Sequence, residues 1–408
     1  MSYKSQENIN PVIVYNTSYN GLSIIQELGS RGISCFAFDS TYSVGAFSKY
    51  AKFRKCPNPV RNEKAFIGFL YEFCVKLPLK PILFPTNDEW ALVTAKYKVK
   101  LSEVAIPCVA SYKTVNTLLS KDLFYKIGQQ KDYLTPQTWD FHDLDNISEK
   151  QFPIVAKPKY KSPPAEVYSQ RISNNLKKTR LVLLNNKEQL KQFIEKNQGL
   201  LKHIVFQEYV QGYSDTMYTV GIYANSKHEI KALFAGRKVR GYPADIGDNV
   251  LGESHVVPEY LIQNTKKVVK ELKFEGIAEF EYKRDEITEE FRLIEVNPRP
   301  WSWIGITPYC GVNIPLIAYQ SLLGKNTELV QSEVKNGDVK YIKIFQDFFN
   351  CMIRYRFNYK PWHCSYKLWK KSIKARKLVV AELHKKDWGV FFASFPYLFG
   401  KILFQKWN

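Results

Sequence analysis

A strand–helix–strand pattern at the start of the chain places the strongest constraint on its fold. Residues 11–15, PVIVY, form a short β-branched run, and apolar side chains then recur at helical spacing over 22–28. A second strand is predicted over 33–38. Strands joined through a helix pair in parallel by a right-handed crossover. The pattern therefore predicts a Rossmann-like α/β domain over residues 1–110.

The first turn of this domain lacks the glycine fingerprint of dinucleotide-binding folds. Asp39 ends the second strand, where such folds carry a ribose-binding acid, but the turn at 16–21 reads NTSYNG and contains no GxGxxG. Further strands are predicted at 81–85 and 105–109. We therefore favour a scaffold that holds no dinucleotide.

Helices and antiparallel strands interleave from residue 111 to 327, which is typical of an α+β domain. We divide it into subdomains at about 111–203 and 204–327. The predicted elements are a helix from Ser120, strands at 152–158, 204–210, 216–224 and 229–239, a helix near 258–273, and strands at 276–284 and 291–298.

Residues 328–408 form a basic aromatic extension. From residue 341 onward there are 14 Lys or Arg and three acidic residues. Trp362, Tyr366, Trp369 and Ile373 repeat at spacings of 4, 3 and 4, so a helical extension is predicted. Three interpretations stay open: a helical lid packed on the core, an interfacial surface on anionic lipid, and a nucleic-acid surface, which lacks any recognised module.

The composition favours a cytoplasmic protein. The formal net charge is +20, and no run of 18 apolar residues is present to span a bilayer. The first residues, MSYKSQENINP, lack an apolar signal core. Seven cysteines without a CxxC pair are typical of free thiols in a reducing compartment. We expect a cytoplasmic location, with peripheral contact on the inner membrane face and a homodimer as open alternatives.

Acidic side chains alternate along the two strands at 276–284 and 291–298. Alternation puts Glu279 and Glu281 on one face of the first strand, and Glu295 and Asn297 on one face of the second. If the strands form a hairpin, these oxygens converge and can hold Mg²⁺, or Mn²⁺. Arg299 follows and could grip a phosphate or carboxylate. The alternative is a charged outer face of a hairpin.

The segment LIEVNPRP at 293–300 resembles the metal-binding strand of the ATP-grasp superfamily. The likeness is to carbamoyl-phosphate-synthase-like and D-aspartate-ligase-like carboxylate–amine ligases, and it covers residues 10–325. It implies a pre-ATP-grasp domain followed by a two-subdomain ATP-grasp fold. It also implies metal ligands at Glu281, Glu295 and Asn297, with Glu279 a less certain fourth.

The resemblance further implies the ATP-binding residues. Lys121 and Lys157 match lysines that meet the α- and β-phosphates. Glu208 matches an acid that accepts from the adenine amino group, and the backbone of Tyr209 and Val210 pairs with the ring.

Three further positions match the ribose and phosphate contacts. Asp215 matches an acid that holds ribose hydroxyls, with an ordinary turn residue as the alternative. Arg237 and Arg240 match a basic strand that contacts phosphate or acyl phosphate, with an exposed basic strand as the alternative.

The stretch after Lys157 departs from the family pattern. The sequence PKYKSPPAEVYSQRIS at 158–173 has no glycine, and Pro163 and Pro164 donate no backbone N–H. Lys159 and Lys161 would replace some positive potential. A non-catalytic ATP-binding module is therefore kept as an alternative.

The resemblance implies an ATP- and Mg²⁺-dependent ligase. A small-molecule carboxylate would be activated as an acyl phosphate and coupled to an amine, with an amino-acid ligase of envelope or polysaccharide metabolism as one version. No nucleic-acid partner is expected, although a membrane- or nucleic-acid-binding protein acting through the tail stays a rival.

Overall fold

A computed structural model describes residues 9–159, 181–242, 247–358, 363–384 and 386–395. Contacts between Cα atoms divide the chain into two compact units. The first unit comprises Met1–Val115, Tyr213–Phe280 and Asn297–Lys406, and the second comprises Asn116–Gly212, Glu281–Val296 and Trp407–Asn408. The predicted partition into three successive domains stays a prediction.

The first unit contains a five-stranded sheet whose pairings are all parallel. The strand order is β3-β2-β1-β4-β5, like the first five strands of dinucleotide-binding folds. Asp39 accepts hydrogen bonds from the Thr17 backbone N–H and the Ser43 hydroxyl, at 2.8 and 2.9 Å. The carboxylate thus braces the first turn, and the Rossmann-like description stays an interpretation. The strands are β1 (Val12–Tyr15), β2 (Cys35–Asp39), β3 (Ala51–Lys55), β4 (Ile82–Pro85) and β5 (Ile106–Pro107).

The sequence did not predict β3, because its segment, AKFRK, is largely charged. In the structure it carries no buried residue. It is tolerated at the sheet edge, where both faces need not be covered.

The second unit contains a four-stranded sheet in the order β6-β9-β7-β8, with antiparallel pairings. Apolar side chains of β7 and β9 pack against the helix Lys187–Asn197, so each strand presents a buried face. The strands are β6 (Thr138–Trp139), β7 (Ile154–Pro158), β8 (Val182–Leu184) and β9 (Ile204–Glu208).

An eight-stranded sheet follows the order β14-β13-β10-β11-β12-β16-β17, with β15 paired to β11. The predicted antiparallel pairing of the strands over 216–224 and 229–239 is confirmed. The strands are β10 (Met217–Ala224), β11 (Ile230–Tyr242), β12 (Asp248–Ser254), β13 (Gly276–Arg284), β14 (Phe291–Asn297), β15 (Val330–Gln331), β16 (Val339–Ile342) and β17 (Lys377–Val380).

Two tryptophans that follow β14 pack against glycines of this sheet. A Cβ atom on Gly221 would lie 2.2 Å from the Trp301 ring, and one on Gly252 would lie 2.7 Å from the Trp303 ring. Both indoles are completely buried or nearly so. Glycine at these positions therefore lets the segment after β14 lie against the sheet.

The predicted helical extension from residue 328 contains helices in its described part, but it also contains strands that were not predicted. These short strands join the large sheet: β15 pairs with β11, β16 with β12, and β17 with β16, which satisfies backbone polar groups. Of the predicted stripe, Trp369 is buried, Tyr366 is exposed, and Trp362 lies outside the described residues.

The helices lie between these strands, and no helix in the described ranges is long and apolar enough to cross a bilayer. They are Tyr19–Gly29, Glu63–Val75, Asp88–Lys96, Lys98–Ser102, Tyr112–Leu119, Lys121–Lys131, Lys187–Asn197, Glu259–Glu271, Ile314–Leu322, Ile344–Phe349, Tyr355–Asn358, Tyr366–Ser372 and 388–395.

Candidate functional site

Three lysines gather around one strand of the second unit. Lys157 lies on β7 opposite Val205 of β9, and its Nζ donates to Gln207 Oε1 at 2.8 Å. The pKa of Lys157 is lowered to about 7, chiefly by desolvation and also by the charges of Lys121 and Lys283, against the opposing effect of Glu295. A cluster of like charges at one strand end is costly, and a bound polyanion would relieve that cost.

The start of a helix contributes Lys121 to this cluster. Ser120 directly precedes the helix Lys121–Lys131, and the Lys121 backbone N–H donates to the Lys159 carbonyl at 3.1 Å. The hydrogen bond ties the helix start to the residue after β7. The structure thus brings together the two lysines that the sequence separates by 36 positions.

Lys283 is a member of this cluster that the sequence analysis missed. It is buried on β13, and its Nζ lies 5.6 Å from the centroid of the Tyr209 ring. The alternation that selected Glu279 and Glu281 continues to Lys283, so the signal was present.

Lys159 does not add the positive potential that was expected. It is buried, and its Nζ lies 3.4 Å from Asp140 Oδ1 and 3.9 Å from Asp122 Oδ2. Two carboxylates therefore offset its charge. Lys161, Pro163 and Pro164 lie outside the described residues.

Glu208 is held at the end of β9 by reciprocal hydrogen bonds. Its backbone N–H donates to the Gln137 carbonyl at 2.8 Å, and the Gln137 backbone N–H donates to Glu208 Oε2 at 3.0 Å. Arg292 Nε also lies 3.4 Å from that oxygen. Val210, two residues on, is buried. Arg292 was missed, because a single arginine near a strand start carries no distinctive signal.

The two strands with alternating acids form the predicted hairpin. Asp285 donates its backbone N–H to the Glu290 carbonyl at 2.9 Å, which closes the connection between β13 and β14. Asn297 Nδ2 donates to Glu279 Oε2 at 3.1 Å. Glu281 and Glu295 lie two residues nearer the turn on their strands, and both belong to the second unit.

Glu279 is occupied by protein donors. Besides Asn297, Thr219 Oγ1 and Trp303 Nε1 each donate to Glu279 Oε1 at 3.2 Å. A buried carboxylate with three donors is stabilised as a structural anion. Its expected membership of a metal site is therefore not favoured.

Arg299 contacts a protein carboxylate, and its predicted grip on a ligand phosphate or carboxylate stays a prediction. Its Nε donates to Asp88 Oδ1 at 2.9 Å, and its terminal nitrogen donates to Asn297 Oδ1 at 3.2 Å. Asp88 begins the helix Asp88–Lys96 after an asparagine cap. Arg299 thus ties the residues after β14 to the first parallel sheet.

Arg240 is paired with a buried protein carboxylate, and its predicted contact with phosphate or acyl phosphate stays a prediction. Its guanidinium forms two hydrogen bonds with fully buried Asp347, at 2.8 and 2.7 Å, and a third with Ser372 Oγ at 2.9 Å. Burial by itself would lower the pKa of Arg240, but the hydrogen bonds and charge of Asp347 raise it. Arg240 therefore fastens the C-terminal segment to β11.

The predicted contacts of Arg237 with phosphate and of Asp215 with ribose stay predictions. Arg237 Nε and its terminal nitrogen both donate to Glu253 Oε1, at 3.2 and 2.7 Å, across the β11–β12 pair. Asp215 is exposed in the turn Ser214–Thr216. Among the described residues, no group of three His, Cys, Asp or Glu side chains could hold a metal ion.

Sequence comparison identifies related ligases. Residues 215–345 match the family described as ATP-grasp in the biosynthetic pathway with Ter operon. The D-aspartate ligase of Enterococcus faecium is 23% identical over 234 residues, which are 54% of this chain and 53% of that protein. The chain thus spans about half the length of the curated relative that it matches.

Structural comparison points to the same fold. The L-amino acid ligase from Bacillus licheniformis superposes with a TM-score of 0.56 at 16% identity, over 78% of this chain and 75% of that one. The biotin carboxylase domain of Hydrogenobacter thermophilus 2-oxoglutarate carboxylase, crystallised with MgADP, gives 0.61 at 11% identity over 81% and 74%. The predicted resemblance to the ATP-grasp superfamily is confirmed, and the chain has an ATP-grasp fold.

Proposed function

We propose that this chain is an ATP- and Mg²⁺-dependent ligase that activates a carboxylate and couples it to an amine. The observation that carries the proposal is the gathering of Lys121, Lys157 and Lys283 beside Glu295 in the second unit. Cations placed together in advance suit a triphosphate, whose charge they balance during phosphoryl transfer.

Glu281 and Glu295 are the residues that would hold Mg²⁺. Their carboxylate oxygens are the hard ligands that Mg²⁺ prefers, and two protein carboxylates suffice when water and phosphate oxygens complete the shell. The ion would supply charge neutralisation at the phosphate oxygens. Asn297, in the first unit, is retained as a predicted third ligand.

The nucleotide base would lie along the end of β9. Glu208 is oriented there by Gln137 and Arg292, so one carboxylate oxygen has fixed donors. The backbone of Tyr209 and Val210 follows directly. These groups would receive the adenine edge and position the triphosphate toward Lys157.

The proposed reaction has two steps, and in each step one bond forms while another breaks. A carboxylate oxygen of the acid attacks the γ-phosphorus, an O–P bond forms, and the bond to ADP breaks. The amine nitrogen next attacks the acyl carbon, the C–O bond to phosphate breaks, and the amine loses a proton. The lysine cluster stabilises charge in the first step, and no side-chain nucleophile is required.

An amino acid is the substrate class that we propose to test first. The matched relatives include a D-aspartate ligase and an L-amino acid ligase. We also propose that such a ligase would act in the cytoplasm, in envelope or polysaccharide metabolism.

The test measures ADP and phosphate release by the full chain with a panel of D- and L-amino acids, D-aspartate first, each with and without an amine donor. We expect release that depends on one acid and an amide product detected by mass spectrometry. Glu295→Ala should abolish release, whereas Glu286→Ala, an exposed acid of the same hairpin, should not. Equal release by wild type and Glu295→Ala would contradict the proposed site. ATP binding without release under any substrate would favour the non-catalytic alternative.

A further inference from the structure

Aromatic side chains connect three helices of the first unit into one cluster. The Phe345 ring centroid lies 4.3 Å from that of Phe395, so the helix Ile344–Phe349 contacts the helix 388–395. The Phe348 centroid lies 5.1 Å from Trp369 and 6.5 Å from Tyr366 on the helix Tyr366–Ser372. The helix Ile344–Phe349 therefore makes aromatic contacts with both other helices, and we call this set of rings the aromatic layer.

The outer part of this layer is exposed. Trp388, Phe392 and Phe395 recur at spacings of 4 and 3 along one helix face, and they are 56%, 68% and 52% exposed. Phe348 and Tyr366 are also exposed, at 41% and 58%. We call these five side chains the aromatic surface. Exposed apolar groups concentrated in this way indicate an interaction site.

The exposed charged residues in the described part of the segment from 341 onward are all basic, although Arg376 lies 3.6 Å from Asp338, just before this segment. The only acidic residues of 341–408 are Asp347, Glu382 and Asp387, and all three are buried. Asp347 is paired with Arg240, while Asp387 accepts from Ser48 and Lys49. The described part of this segment therefore presents cations to solvent without exposed acids. Its exposed basic residues are Arg356, Lys367, Lys370, Lys371, Lys374, Arg376 and Lys386.

We propose that the aromatic surface and its cations bind the interface of an anionic lipid bilayer. Trp and Phe side chains enter the headgroup–acyl boundary, and lysines and arginines are attracted to anionic headgroups. Neither the aromatic side chains nor the basic side chains would anchor a protein firmly by themselves, but the two together do. The inference is independent of the proposed ligase activity.

The apolar part of the surface favours lipid over nucleic acid. Three of the five side chains are phenylalanine, which has no polar edge for base or phosphate recognition. Here the exposed apolar residues extend to Ile353 and Leu368, which fit a hydrocarbon boundary.

The test is vesicle flotation with the full chain. Vesicles of phosphatidylcholine alone are compared with vesicles of phosphatidylcholine and phosphatidylglycerol in equal parts, at low and high salt. We expect binding to the anionic vesicles only, weakened by salt as the headgroup attraction is screened. Soluble glycerophosphoglycerol as competitor should not release the protein, since it lacks acyl chains.

Two variants separate the contribution of the lysines to vesicle binding from that of the aromatic side chains. Lys370→Gln/Lys371→Gln/Lys374→Gln should lower the partition coefficient roughly a hundredfold, at roughly fivefold per lysine. Trp388→Ser/Phe392→Ser should lower it at least about tenfold. The matched controls remove three exposed lysines of the helix Lys187–Asn197 (Lys187, Lys191 and Lys196 to Gln) or two exposed apolar side chains elsewhere (Val99→Ser/Ile287→Ser). Both controls should bind like wild type, and thermal unfolding should show every variant folded.

Three results would overturn the proposal. The first is equal loss in the tail variants and the controls, which would reflect net charge or hydrophobicity alone. The second is absence of vesicle binding together with tight binding of RNA or DNA. The third is absence of binding by the full chain but strong binding after deletion of residues 396–408, which would make that segment the occupant of the surface.

Discussion

The lysines of the second unit and the arginines of the first unit use positive charge in opposite ways. Arg237, Arg240 and Arg299 each contact a protein carboxylate. Lys157 instead lies near two other lysines, and its pKa falls to about 7. Paired arginines stabilise the fold, whereas a group of like charges is tolerated where a ligand will balance it. The comparison teaches that basic residues of similar appearance in sequence differ in their surroundings: the three arginines contact carboxylates, and Lys157 lies near two further cations.

The largest expected effect tests the structural side of this comparison. Arg240→Ala leaves the fully buried Asp347 carboxylate without its main partner, so we expect a loss of about 3–5 kcal/mol in the free energy of unfolding. Urea denaturation measures it. Replacement of both partners, Arg240→Met with Asp347→Leu, should cost much less. If Arg240→Ala were as stable as wild type but inactive, the assignment of Arg240 to structure would be wrong.

The next effect tests the lysine side. Lys157→Met should lower ATP-dependent phosphate release by about 10²–10³, the loss typical of one group that stabilises transition-state charge. The free energy of unfolding should stay the same or rise, because a desolvated charge near two others is removed. Steady-state kinetics and urea denaturation are measured together. Lys191→Met, on an exposed helix of the same unit, is the matched control.

The lowered pKa of Lys157 predicts an intermediate effect of pH. Below pH 7 this lysine is protonated in both the folded and the unfolded chain, whereas between about 7 and 10 the unfolded chain alone keeps the proton. The unfolding free energy of wild type should therefore rise with pH across this window, relative to Lys157→Met, by up to about 1 kcal/mol per pH unit. ATP affinity should fall over the same range, since phosphate binds the protonated form. Parallel pH profiles of wild type and variant would contradict the assignment.

The smallest effect concerns the ion pair between Arg292 and Glu208. Both side chains are partly exposed, so Arg292→Ala should change the unfolding free energy by about 0–1 kcal/mol. We expect the Michaelis constant for ATP to rise several-fold, because Glu208 loses one of the groups that orient it. Glu208→Gln should raise it similarly and reduce the preference for ATP over GTP. An unchanged Michaelis constant in both variants would remove Glu208 from the base site.

Much of the fold could be predicted because local patterns agreed with tertiary packing. The buried run at 12–15, the helix that follows and the parallel pairing with β2 were all visible in the spacing of apolar residues. β3 and the short strands of the C-terminal segment were not, since a strand of mixed or charged residues exists only through its neighbour in the sheet. The helical stripe at 362–373 predicted one short helix correctly but not the strand β17 after it.

The residue types of the candidate site could be predicted from the sequence, but the groups that each side chain contacts could be predicted less well. Strand alternation brought Glu279 and Asn297 to one face, as the structure shows. The same rule would have added Lys283. Nothing in the sequence distinguishes Arg240 from Arg237, because the deciding partner, Asp347, lies 107 residues away.

The sequence by itself determined the first strand–helix–strand unit, the alternation that aligns the hairpin acids and the excess of positive charge in the C-terminal segment, because each depends on residues close together in the chain. Only the tertiary structure decided which cations are neutralised, which acids are buried and which aromatic residues remain in contact with water. Burial and ion pairing depend on distances between groups far apart in sequence, and the strength of each interaction depends on the solvent that folding removes.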